Sequence, residues 1–282
     1  MDVTFCSLRR MAMGLFATLC FTAGSAHAAP IDDALAAQKA AIAQLQALAT
    51  ASATAAASTA PDWKVLEAQL EQVFLPTARM SDFAEADRLK TMTLCLNLFD
   101  AQIAMLAPAE AELKASPESV GAAHETMKEL LAQSRPMRRN QTRIFLEQTR
   151  CFTQVLLLDA ATWPVESGPS DDTNRMLGML VAPVRAFSLA SFGGLLDPAI
   201  GPQERVELAA QVLPVAEALA QALPPEMRGA VPETLERDLD KAALPDRATV
   251  QPVLDAFRTD ACALSCERSR GRLADETARN GR

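Results

Sequence analysis

The chain has 282 residues and a formal charge of -8, with 49% hydrophobic residues, two histidines and no tyrosine. The acidic balance argues against general nucleic-acid binding, which needs a basic footprint. The shortage of histidine closes most histidine-based catalysis and the His-rich metal sites, and the length suffices for one large or two small domains with ample core.

Residues 1–28 read as a cleavable export signal: Arg9 and Arg10, an apolar run from Met11 to Phe21, then small residues ending Ala26-His27-Ala28. The apolar run is too short for a bilayer core, which needs about 20 helical residues. Leu19 before Cys20 opposes a lipid anchor. The pair of arginines fits an ordinary basic leader better than twin-arginine export. Cleavage leaves 254 residues; with one acid and two arginines gone the charge becomes -9, and His124 is the sole histidine. The remaining chain is expected to be periplasmic or secreted, in an oxidising compartment.

Beyond the signal, alanine and leucine dominate, glycine is scarce, and apolar residues recur at three- and four-residue spacing. This predicts an all-α fold, an irregular multi-helix bundle of about seven to nine helices stabilised by disulfides. Ile31, Leu35, Gln38, Ile42, Leu45 and Ala49 form a seam on a first helix, suited to a partner helix. Residues 50–60, made only of Ala, Ser and Thr, read as a linker, with a frayed helical spacer close behind because alanine favours helix. Residues 29–61 thus form an N-terminal helix with its linker.

The next unit is 62–163. Pro61-Asp62 opens a helix carrying Trp63, Leu66, Leu70 and Phe74, which Pro76 is expected to stop. A third helix is expected from about Ser81 to Ala107, ending or kinking at Pro108. Ser116-Pro117-Glu118 starts another, with Val120, His124, Met127 and Leu131 on one face; His124 is read as a partly buried, hydrogen-bonded side chain. Ser134, Arg135 and Pro136 begin a helix that continues to Trp163.

Residues 164–172 form the clearest loop and lead to a proline-punctuated unit, 173–267. Its stretch Met176–Leu196 has Arg185 as its only charge, but Pro183, Gly193-Gly194 and the central arginine favour a buried core over a membrane span. The prolines at 198, 202, 214, 224, 225, 232, 245 and 252 divide the remainder into short helices of about 10 to 20 residues. No fixed repeat is present. Residues 268–282 read as a frayed tail.

Four cysteines remain after the signal: Cys95, Cys151, Cys262 and Cys266. Cys95 lies near the face made by Met92, Phe99, Ile103 and Leu106, and Cys151 shares a stripe with Ile144, Val155 and Leu158, so both are expected to look inward. Cys262 and Cys266 project away from the last helix's apolar face of Val250, Leu254, Phe257, Ala261 and Leu264. Spacing of four leaves Cβ atoms about 6 Å apart on an ideal helix, too far for a disulfide, so a local bond needs the helix to distort or end. Cys95 with Cys151 and Cys262 with Cys266 is the favoured pairing. Cross-pairing, free thiols, and a redox-active or metal-binding Cys262/Cys266 pair beside Asp260 and Glu267 stay open.

Arg135, Arg138, Arg139, Arg143 and Arg150 crowd one helix, its start included, where positive charge opposes the macrodipole. Arg139, Arg143 and Arg150 form a row opposite Cys151. Pairing with Glu147 and with Glu110, Glu112, Glu125 or Glu129 is the plain expectation; an anion or partner contact is the sharper one. The chain has no nucleophile elbow, no Walker A loop and no dinucleotide fingerprint, so neither cofactor nor metal is expected. Asn97 and Asp100 are candidate polar-cleft residues, the plainer expectation being a place at a helix boundary or one satisfied hydrogen bond. Glu166-Ser167-Gly168 resembles the Glu-Ser start of lytic transglycosylase signatures but lacks their Gly-Leu-x-Gln continuation.

These readings favour an exported, non-enzymatic binding protein of the cell envelope, of adaptor, inhibitor or scaffold type, with an envelope protein or small anion as partner and no nucleic acid. The runner-up is an envelope hydrolase using paired Asp/Glu carboxylates, and the third reading is membrane association through residues 176–196.

Overall fold

A computed structural model describes residues 30–55, 62–83, 86–115, 135–162, 181, 183–188, 194–197, 200–242, 246–263 and 266. The leader 1–28, the helix expected over 116–134 with His124, the loop 164–172 with Glu166, and the tail 268–282 lie outside them, as does most of 176–196. Among the described residues the fold is all-helical, without strands.

The first helix, α1 (Pro30–Ala55), buries the predicted seam: Ile31, Gln38, Ile42, Leu45 and Ala49 all face inward. It packs against α2 (Trp63–Ala78) and α4 (Leu98–Ala115), so the partners of the seam lie within the chain. Residues 50–55 are helical rather than linker, in keeping with alanine's helix propensity. Asp62 caps α2, its carboxylate accepting from the N–H groups of Lys64 (3.1 Å) and Val65 (3.4 Å). Pro76 does not stop α2, which runs on to Ala78; the proline is buried near the helix end, where burial offsets the one backbone bond it forfeits.

The expected third helix is two elements preceded by a 3-10 turn, Met80–Phe83. Asp87, not Ser81, starts α3 (Arg88–Leu96), its side chain accepting from the Leu89 N–H at 2.7 Å. Asn97 stays in the right-handed helical region between α3 and α4. Pro108 does not end α4, which continues to Ala115.

The longest helix among the described residues, α5 (Arg135–Thr162), matches its predicted start; Trp163, where it was expected to end, lies outside them. It is unusually polar for a buried element: Arg138, Asn140, Gln141, Thr142, Glu147, Gln148, Thr149 and Thr153 are all buried. The threonines are tolerated because the hydroxyls of Thr149 and Thr153 donate to the carbonyls one turn back, at 2.8 and 2.7 Å. Cys151 of α5 bonds to Cys95 of α3, with Cα atoms 5.5 Å apart across 56 residues of sequence.

The C-terminal part contains α6 (Pro202–Ala222), the single turn α7 (Pro225–Arg228), α8 (Ala230–Ala242) and α9 (Arg247–Ala256). Pro202, Pro225 and Pro232 sit in first turns, where no N–H is needed. Pro214 lies inside α6 and does not divide it, because Leu208, Val212, Ala216 and Leu219 bury the face on both sides. Phe187 meets Phe257 edge to face, with ring centroids 5.2 Å apart. The last helix is shorter than expected: Phe257 caps α9, and Ala261 lies beyond it. That early ending frees Cys262 and Cys266 to bond, with Cα atoms 5.4 Å apart.

Candidate functional site

The arginine cluster of α5 separates into two groups. Arg135 and Arg138 point to the start of α6, where Glu204 and Glu207 receive them: Arg138 reaches Glu204 at 3.3 Å, and Arg135 reaches Glu204 and Glu207 at 3.4 Å. Neither glutamate was foreseen as a partner. The pairs offset the unfavourable placement of cations at the N-terminus of α5. The buried Arg138 pair counts for more than the exposed Arg135 contacts, which are worth little in water.

Arg143 and Arg150 line an open groove of about 310 Å³ between α2, α5 and α6, together with Glu71, Phe74, Leu75, Ala78, Leu146, Glu147, Gln211 and Val215. Arg143 pairs with Glu71 and lies over the Phe74 ring at 5.8 Å from its centroid. Arg150 pairs with Glu147, as expected, and Glu147 also accepts from the Thr77 hydroxyl. The groove therefore holds two cations and two anions already matched. Arg139 of the same row is exposed and does not line it. A second hollow of about 490 Å³ adjoins it across Leu75, lined by Pro30, Asp33, Ala34, Ala37, Pro76, Arg79 and Phe83.

Among the described residues no cluster of three His, Cys, Asp or Glu could hold a metal, and no helix is long and apolar enough to cross a membrane. Asn97 takes the plainer of its two expected roles, at a helix boundary with a satisfied hydrogen bond, rather than marking a cleft. Its amide donates to Gln38 Oε1 at 3.0 Å, while Gln38 donates to the carbonyls of Leu94 (3.0 Å) and Val73 (3.5 Å), tying α1, α2 and α3 together in the core.

The larger departure concerns α3 and α4. The face expected to be buried, that of Phe99 and Ile103, is turned outward. Leu94, Cys95, Leu98, Ala101, Ala104 and Met105 form the core face, on the α3–α4 stretch that packs against α1. Leu89, Leu96, Phe99 and Ile103 remain 64%, 44%, 40% and 62% exposed. Their spacing of seven, three and four places them on one side of a nearly continuous helical backbone, with Met92 and Leu106 half-buried in the same heptad stripe. Asp100 is the exposed charge beside them.

No protein family, curated protein or solved structure matches this chain. The reading of its function therefore rests on its own surfaces.

Two residues that organise the C-terminal part were not singled out by sequence. Arg205 is buried in α6 and donates to the carbonyls of Leu195, Asp197 (3.1 Å) and Ile200 (2.9 Å), and to Asp246 at 2.8 Å before α9. Arg228 is buried in α7 and donates to the carbonyls of Thr259 and Leu223 (2.9 Å). Each follows a first-turn proline by three residues, Pro202 and Pro225, which lets the guanidinium reach back over the preceding loop.

Proposed function

We propose that this chain is an exported, non-enzymatic binding protein of the cell envelope whose outward face on α3 and α4 receives an amphipathic helix of an envelope protein. The observation that carries this reading is the exposed heptad stripe Leu89, Leu96, Phe99 and Ile103. Large side chains left in water singly are ordinary, whereas an aligned set marks an interaction surface. A stripe confined to one helical line fits a second helix laid along it, with apolar residues at three- and four-residue spacing. Asp100 at its edge is exposed, so it complements a lysine or arginine on the incoming helix. Export, read from residues 1–28, supplies the compartment.

A small anion draws less support, because the Arg143 and Arg150 charges are matched by Glu71 and Glu147. Within this groove the hydrolase reading finds only Glu71 and Glu147, each already engaged by an arginine.

A photo-crosslinking residue placed at Ile103, with one at exposed Glu217 as control, tests the proposal in intact cells. The expected result is a discrete adduct from position 103 alone, mapped to a partner peptide with heptad-spaced apolar residues and a basic flank, and lost on Phe99→Asp. No adduct, the same adducts from both positions, or an adduct to a second copy of the chain contradicts it.

A further inference from the structure

The chain beyond α9 returns to the end of α6, where the Ala263 N–H donates to the Gln221 carbonyl at 2.8 Å. Arg228 fastens the same corner through Thr259 and Leu223, and its Nη2 lies 3.6 Å from Cys266 Sγ. The two sulfurs of the Cys262–Cys266 bond are thus inequivalent. Cys266 is fully buried against a buried guanidinium. Cys262 is half-buried and follows the exposed residues Asp260 and Ala261.

That asymmetry matters for the chemistry of the bond. An attacking thiolate needs access to one sulfur, and the other departs faster when its thiolate is stabilised. A neighbouring arginine stabilises a thiolate and keeps its own charge when buried. We propose that Cys262–Cys266 is a thiol–disulfide exchange site for an external dithiol, with Cys262 attacked and Cys266 the leaving group held by Arg228. The incoming thiolate bonds to Cys262 Sγ, the intramolecular S–S bond breaks, and its electron pair goes to Cys266 Sγ. The dithiol's second thiolate then attacks its own sulfur in the mixed disulfide and expels Cys262 as thiolate. The dithiol leaves oxidised and the protein pair is reduced by two electrons. Cys95–Cys151 offers no opening, and no guanidinium contact with either sulfur among the described residues: both cysteines are buried in the core between α3 and α5.

The test treats the oxidised, folded protein with reduced glutathione, quenches with acid and maps the adducts by mass spectrometry. Glutathione is expected on Cys262, with Cys266 as free thiol; an adduct on Cys266, or none at this pair, overturns the proposal. Arg228→Met is expected to slow the exchange by about tenfold, and Arg228→Lys, which keeps the charge, to retain most of the rate. If Arg228 only packs the corner, both variants loosen it and exchange becomes faster, which also overturns the proposal. Should Arg228→Met fail to fold, adduct mapping on the unaltered protein still decides.

Discussion

The two disulfides span nearly equal Cα separations, 5.5 and 5.4 Å, in opposite surroundings. One joins α3 to α5 in the middle of the core, far apart in sequence and sealed on both sides. The other closes a short loop at the C-terminal corner, with one sulfur toward the surface and one against Arg228. The difference teaches that the role of a cysteine pair follows from loop length and neighbours rather than from the bond itself. The core pair is a staple; the corner pair is chemically addressable.

The largest expected effect comes from removing the staple. Cys95→Ala with Cys151→Ala releases a loop of 56 residues and should cost about 4 kcal/mol of unfolding free energy, against about 2 kcal/mol for Cys262→Ala with Cys266→Ala, read by urea denaturation. Equal losses would erase the distinction. Beside the staple, Gln38→Leu should cost about 2 to 3 kcal/mol, since it strands the Asn97 amide and the Leu94 carbonyl in the core. A midpoint unchanged from the parent would show that this network does not hold α3 in place. The smallest effect is expected at Gln148, fully buried on α5 with no hydrogen-bond partner for its amide among the described residues. Gln148→Leu should shift stability by no more than about 1 kcal/mol in either direction, because it leaves no partner stranded. A loss as large as that of Gln38→Leu would place the two glutamines in one class.

Much of the scaffold was legible because helical periodicity is a local property. The α1 seam, the Asp62 cap, the span of α5 and the inward aim of Cys151 follow from spacing and capping chemistry; Cys95 is buried as expected, but on the opposite face from the one that led to the expectation. Three features required tertiary knowledge. Pro76, Pro108 and Pro214 read as stops, yet the helix continues through each, and at Pro76 and Pro214 the flanking turns are buried. The α3–α4 stretch has apolar residues on two faces, and which of them is covered is decided by packing against α1 rather than by local spacing. The partners of Arg135, Arg138 and Arg143 lie on α6 and α2, 66 to 72 residues away in sequence, where no short-range rule reaches. The clamps at Arg205 and Arg228 had a faint local signal, an arginine three residues after a first-turn proline. Pro136 and the exposed Arg139 share that spacing without making a clamp, so the pattern alone did not select them.

The contrast between the two cysteine pairs is tested most directly by titrating the folded protein with dithiothreitol, alkylating free thiols and mapping them, with helicity followed by circular dichroism. Cys262 and Cys266 are expected to become labelled while the helical signal is unchanged, and Cys95 and Cys151 only as that signal is lost. Labelling of Cys95 and Cys151 first, or of all four cysteines together in the folded state, would contradict it.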